Sequence, residues 1–137
     1  MLIAALFVLF FRIIASFSTN LGVDEAYYFS YLQFPQISFY DHPPMVAIML
    51  WITTLNELFS SEFFMRLGPL LIGTLNLFLT FKIGSEIQNK RTGLLAAALA
   101  SASLYNSIIG GLFVLPDTPL SLFWLLALWS AIRFIKH

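Results

Sequence analysis

Apolar residues run along this chain in long blocks, and the few charged residues act as punctuation between them. No charge falls between Arg91 and Asp117. Leu94 to Val114 alone, at about 1.5 Å per residue, is long enough to cross a hydrocarbon core of roughly 30 Å as a helix. A second apolar run, Leu67 to Ile83, is bounded by Arg66 and carries Lys82 near its other end, where a long side chain can snorkel. A third, Leu120 to Ile135, starts just after Pro119, a residue suited to a helix start, and has Arg133 and Lys136 in its last turns. The first block, Leu2 to Phe17, is interrupted by Arg12 and reaches spanning length when Met1, Ser18 and Thr19 are included. The pattern predicts an all-α integral membrane protein of about four transmembrane helices, at about 1–19, 66–84, 93–115 and 119–136.

Residues 18–65 form the long loop between the first two spans and hold five of the seven acids with no Lys or Arg. Asp24 to Gln33 reads as a short helix stopped by Pro35. A second helix is expected from Pro43-Pro44 to about Phe59, with Asp41 as its cap. Its apolar stretch, Met45 to Leu55, is too short to span, which makes it a juxtamembrane helix.

Composition narrows the function classes. Of 137 residues, 59% are hydrophobic and 10% charged, with a mean hydropathy of +0.85. Soluble domains are roughly a quarter charged, so this chain lacks the polar surface to face water all round. Seven basic and seven acidic residues cancel, which leaves no basic surface for nucleic acid. The absence of cysteine excludes a disulfide framework, a thiolate nucleophile and a Cys-type zinc site. The N-terminus lacks the basic start and the small-x-small site of a cleaved signal peptide.

Charge placement orients the spans. Lys82, Lys90 and Arg91 share one loop, and Arg133 and Lys136 lie one pair of crossings later, so both groups fall on one face. Positive side chains are retained on the cytoplasmic side. Met1, the 85–92 loop and His137 are therefore expected inside, with the acidic loop and the Pro116–Pro119 turn outside.

Several residues could carry chemistry. The acid pair Asp24-Glu25 opens a helix, where the dipole favours carboxylates without any function. Beside a membrane, though, a carboxylate can also take a proton from an acceptor hydroxyl or hold a divalent cation. Neighbours on a helix point about 100° apart, so one of the two is expected to act. Phe39-Tyr40-Asp41-His42-Pro43-Pro44 sets an acid and an imidazole on a stiff double proline. That arrangement suits a helix start, an aimed polar pair or half of a metal site. Arg66 stands on the acidic side against the positive-inside bias, where it can meet lipid phosphates or a phosphate-bearing substrate. Arg12 is an ionisable group inside a span, a functional position by default. Asp117, between Pro116 and Pro119, brings another carboxylate to the face of Asp24, although turn chemistry also favours Asp there. The loop aromatics Tyr27, Tyr28, Phe29, Tyr31, Phe34, Phe39 and Tyr40 read as a headgroup-level belt. Ala96, Ala100, Ser103 and Ser107 read as a close helix contact.

Asp24-Glu25-Ala26-Tyr27-Tyr28, Tyr40-Asp41-His42-Pro43-Pro44, Arg66-Leu67 and Leu115-Pro116-Asp117-Thr118-Pro119 followed by Leu122-Phe123-Trp124 stand in an order that resembles the N-terminal part of C-type-fold membrane glycosyltransferases. The similarity is to family-39 and aminoarabinose-transferase-like enzymes, relatives of protein O-mannosyltransferases. It implies transfer of a sugar from a polyprenyl-phosphate-linked donor to a lipid or protein acceptor at the outer or lumenal face, in a setting such as a bacterial inner membrane. By resemblance Asp24, Glu25 and Asp117 are catalytic, with Asp24 the base, and Tyr40, Asp41, His42 and Arg66 bind substrate; a divalent metal is a possible cofactor. Members are much longer, so the chain is expected to be an incomplete, inactive fragment. The alternatives are a small non-enzymatic lipid-binding or assembly protein, and a piece of a transporter, which would show mid-membrane charges or broken helices. The outer-level placement predicts that Asp24 or Glu25 faces inward toward Asp117, with His42 and Arg66 on the rim.

Overall fold

The computed structural model describes residues 1–136; the expected position of His137 lies outside them. The described chain is 75% helical. It comprises α1 (Leu2–Ser18), α2 (Val23–Gln33), α3 (Met45–Thr53), α4 (Glu62–Ile87), α5 (Lys90–Ala102) and α6 (Asp117–Lys136), with a π-helical turn at Tyr105–Ile109 between α5 and α6. α4 is the central post, packed against α1, α3, α5 and α6. α4 and α6 are long and apolar enough to cross a membrane, and α1 with α2 passes the same test as a pair bent by 83°. This is a membrane protein, as its pattern predicts.

α1 turns Ala5, Arg12 and Ser16 inward and leaves Leu6, Phe7, Phe10 and Phe17 exposed, the arrangement of a helix with lipid on one side. At its end the hydroxyls of Ser18 and Thr19 donate to the carbonyls of Ile14 and Ala15 at 2.8 and 2.9 Å, partnering groups the helix itself leaves open. Thr19 is extended, and after it the chain makes the 83° turn into α2.

The close approach of α4 and α5 is made by glycine. A Cβ on Gly84 would lie 2.9 Å from the Cα of Gly93. Gly93 and Ala97 are the buried residues of α5, so the contact is a turn earlier than the expected stripe, which ends at Ser103 and Ser107 beyond the helix. Asn89 caps α5, its Oδ1 accepting from the N–H groups of Arg91 and Thr92 at 3.0 and 3.1 Å.

Three expectations are corrected. The uncharged interval 93–115 is no single helix. α5 leaves helical geometry at Ser103, and the chain then winds through the π-helical turn to Gly110-Gly111, where Arg12 Nη2 donates to the carbonyl of Asn106 at 2.8 Å. Hydropathy counts apolar residues and does not see where the backbone breaks. Second, α3 ends at Thr53 instead of near Phe59, because Leu55, Asn56 and Glu57 all take positive φ (48°, 55° and 67°). Third, Asp41 does not cap α3. Pro44 stands at the cap position without a side-chain bond, and the Asp41 carboxylate is engaged elsewhere.

Lys136 Nζ donates to the carbonyls of Glu86 and Ile87, joining the last turn of α6 to the last turn of α4. Arg66, at the other end of α4, meets the end of α1. Lys82, Lys90, Arg91, Arg133 and Lys136 thus gather at one end of the bundle, and every acid except Glu86 belongs to the other.

Candidate active site at the acidic end

Glu25 and Arg66 form the buried centre of this end. Arg66 Nε and Nη2 donate to Glu25 Oε1 and Oε2 at 2.9 and 2.6 Å, a two-pronged charge-assisted pair. Nη1 donates to Ser16 O, Thr19 O and Thr19 Oγ1, and Nη2 also to Asn20 O, at 2.7 to 3.0 Å. Glu25 in turn accepts from the N–H groups of Gly22 (3.0 Å) and Val114 (3.2 Å). The pair therefore fastens α1, the start of α2, α4 and the segment before α6 at one point.

Arg66 is 0% exposed, so it is not on the rim. Every N–H direction of its guanidinium is taken by protein, which leaves no donor for the phosphate it was expected to bind. Glu25 is 3% exposed, and what it meets inside is Arg66, Gly22 and Val114 rather than the expected Asp117, so its charge is matched. One residue earlier, Asp24 is exposed, so the roughly 100° between neighbours divides the pair into a structural acid and a free one.

Tyr28 and Tyr31 of α2 are not belt residues. Tyr28, Tyr31 and Leu32 lie in the core with Val46, Met49, Leu50, Met65 and Val114, because α2 lays one face across α3. The hydroxyls of Tyr31 and Tyr27, one turn apart, donate to Asp41 Oδ1 and Oδ2 at 2.7 and 2.9 Å. The Tyr31 hydrogen bond foremost, then that of Tyr27 and the nearby His42, hold the Asp41 carboxyl below its ordinary range despite partial desolvation. The Tyr31 hydroxyl is correspondingly pushed far up, by burial first and then by its bonds to Tyr27 and Asp41. The sequence signal for this clamp was the i, i+4 spacing of Tyr27 and Tyr31, which the belt reading passed over.

Tyr28 lies on the acidic side of the bundle. Its hydroxyl is raised by burial and then by Asp24, Asp41 and Asp117, all acting on the one group. Its ring meets the edge of the His42 imidazole at 5.4 Å, and His42 Nε2 is 3.8 Å from Asp41 Oδ2. Asp117, in the first turn of α6, accepts from the Tyr105 hydroxyl at 2.8 Å and lines a cleft of about 370 Å³ with Asn106, Ser121 and Trp124. A smaller hollow, about 140 Å³, lies between Pro43 and Val46 on one side and Pro116, Pro119 and Phe123 on the other. The two proline-bearing motifs therefore face each other. Tyr40 is fully exposed and stands apart from the cluster. Among the described residues no three His, Asp or Glu side chains converge closely enough to hold a metal ion, so this donor set does not fit the divalent cation that was considered.

Residues 41–137 match the family described as dolichyl-phosphate-mannose-protein mannosyltransferase. The match takes in Asp41, His42, Arg66 and Asp117 and begins after Asp24 and Glu25. No curated protein and no solved structure matches the chain.

Proposed function

The chain belongs to the dolichyl-phosphate-mannose-protein mannosyltransferase family, and on that premise we propose that its acidic end is the proton-accepting side of a membrane glycosyl-transfer site. The donor is a sugar linked to a polyprenyl phosphate and the acceptor is a hydroxyl on a lipid or protein. Asp24 takes the acceptor proton while the acceptor oxygen bonds to the anomeric carbon. The bond from that carbon to the phosphate oxygen breaks, its electrons pass to the phosphate, and a polyprenyl monophosphate leaves. The basic end faces the cytoplasm and the acidic end the outer or lumenal side.

One observation carries this reading: the Glu25–Arg66 pair fixes the first turn of α2, and Asp24 stays exposed there, one residue before the buried Glu25. Asp41 is held ionised by two tyrosines and serves as an orienting acceptor. Asp117 is tied to Tyr105. Of Asp24, Asp41 and Asp117, Asp24 alone accepts no side-chain hydrogen bond among the described residues, which is what a base awaiting a substrate hydroxyl requires.

The test is Asp24→Asn in the enzyme carrying this segment, assayed in membranes with a polyprenyl-phosphate sugar. Turnover is expected to fall by about 10² to 10⁴, the usual contribution of a general base, with donor binding unchanged. Undiminished turnover would return the segment to a lipid-binding or assembly role.

A further inference from the structure

The two arginines on the acidic side of the bundle have opposite surroundings. Arg66 has a carboxylate and a full set of acceptors. Arg12, inside the first span, is 5% exposed and has one hydrogen bond, from Nη2 to the Asn106 carbonyl. Its Nε and Nη1 have no partner among the described residues. Arginine does not lose its proton under such conditions. A buried cation without a counter-charge is costly, and an intramembrane ionisable group ordinarily serves a ligand or a partner.

The surroundings are built to seat that side chain. A Cβ on Gly73 would lie 2.6 Å from Arg12 Nη1, and one on Gly111 would lie 2.5 Å from Cζ. Glycine at both positions opens the slot that the guanidinium fills between α4 and the segment after the π-helical turn. Arg12 also lines a cavity of about 290 Å³ whose walls are Phe7, Val8, Phe11, Ala15 and Leu112, with the hydroxyl-bearing Ser101 and Ser107. The Ser101 and Ser107 hydroxyls already donate to the carbonyls of Ala98 and Ser101, so aliphatic and aromatic walls beside the one unmatched cation describe a receptor for an amphiphile with a single anionic head. No carboxylate of the described chain pairs with Arg12, so its counter-charge has to come from outside the described residues.

We propose that Arg12 and this cavity bind the phosphate and first isoprene units of a polyprenyl monophosphate, the group that carries the sugar in and leaves after transfer. The assignment deepens the donor reading above and rests on it. It gives to Arg12 the phosphate contact that Arg66 has no donors left to make. The unspent hydrogens of Nε and Nη1 are the donors such an anion takes, while its tail stays in the hydrocarbon layer.

The experiment uses the 137-residue chain in neutral detergent and measures retention of a radiolabelled polyprenyl monophosphate. Competitors are the uncharged polyprenol, inorganic phosphate and a diacyl phosphatidate. Arg12→Gln is expected to weaken binding at least tenfold and Arg12→Lys less. Ala15→Leu, which fills the cavity and keeps the charge, is expected to weaken binding without threatening the fold. Polyprenol and inorganic phosphate should compete poorly, since each lacks half of the ligand. Unchanged binding in both Arg12→Gln and Ala15→Leu would overturn the proposal while leaving the donor reading standing. No binding by the parent chain would overturn it as well. Phosphatidate displacing the prenyl phosphate at equal concentration, in an Arg12-dependent way, would overturn the prenyl assignment and count against the donor reading, since the site would then be one for bilayer lipid.

Discussion

Replacing Glu25 by Gln removes one charge from the most connected point of the fold and changes almost no volume. In the parent, Glu25 Oε1 and Oε2 accept four hydrogen bonds, from Arg66 Nε and Nη2 and from the N–H groups of Gly22 and Val114. A glutamine keeps one oxygen. Its amide nitrogen must face either the Arg66 Nε and Val114 donors or the Arg66 Nη2 and Gly22 donors, so two donors lose their acceptor whichever way it turns. The guanidinium meanwhile remains charged, with exposures of 0% and 2% for the two side chains. Removing one member of such a buried pair costs about 3–5 kcal/mol, a shift of roughly 10² to 10³ or more in the folding equilibrium. The assay is reversible unfolding in mixed micelles followed by far-UV circular dichroism, run as a cycle with Arg66→Met and the double variant. The double variant is expected to lose less than the sum of the singles, because it leaves no orphaned charge. Glu25→Gln within about 1 kcal/mol of the parent, or a cycle that simply adds, would refute the role of the pair as the fastening of this end.

Two further outcomes can be checked on the same protein. Tyr31→Phe should raise the Asp41 carboxyl toward its ordinary range, read by carboxyl-carbon NMR. In the parent the folded-state value is depressed, so the contribution of this clamp is fully present above the ordinary carboxylate range and is lost as pH falls through the folded value; an Asp41 unmoved by Tyr31→Phe would contradict the clamp. Because the chain has no cysteine of its own, single cysteines at Ser38 and Lys90, both exposed, should react with an impermeant reagent from opposite sides of the membrane. Labelling of both from one side would reject the proposed orientation.

What could be read in the sequence follows from what the bilayer enforces. Long apolar runs and the segregation of Lys and Arg from Asp and Glu are one-dimensional properties, and α4, α6 and the charge polarity of the bundle were visible in them. The break at Ser103 was not, because the segment is uncharged on both sides of it and its geometry is set by distant groups, Arg12 on Asn106 and Glu25 on Val114. The site was legible at the level of which residues gather at one end. It was not legible at the level of which are free. Asp24 and Glu25 are adjacent acids, and Arg12 and Arg66 are both arginines close to a span, yet within each couple one is satisfied by protein and the other is not. Only the partners decide that, and they lie 41 to 94 positions away.

The right-angle joint between α1 and α2 also has a mechanical consequence. Because the Arg66 guanidinium grips Ser16, Thr19, Asn20 and Glu25 together, the two helices turn as one bent lever with its pivot at that grip. α1 tilts to match the thickness of the bilayer, and a tilt of about 10° displaces a point at about 1.5 Å per residue along α2 in proportion to its distance from the pivot. Asp24, one residue into α2, scarcely moves. Tyr31, eight residues in and so about 12 Å out, shifts by roughly 2 Å, more than its 2.7 Å bond to Asp41 can follow. A tilt of α1 would therefore be felt at the clamp around Asp41 sooner than at Asp24, so the joint ties the lipid-facing helix to this end of the molecule.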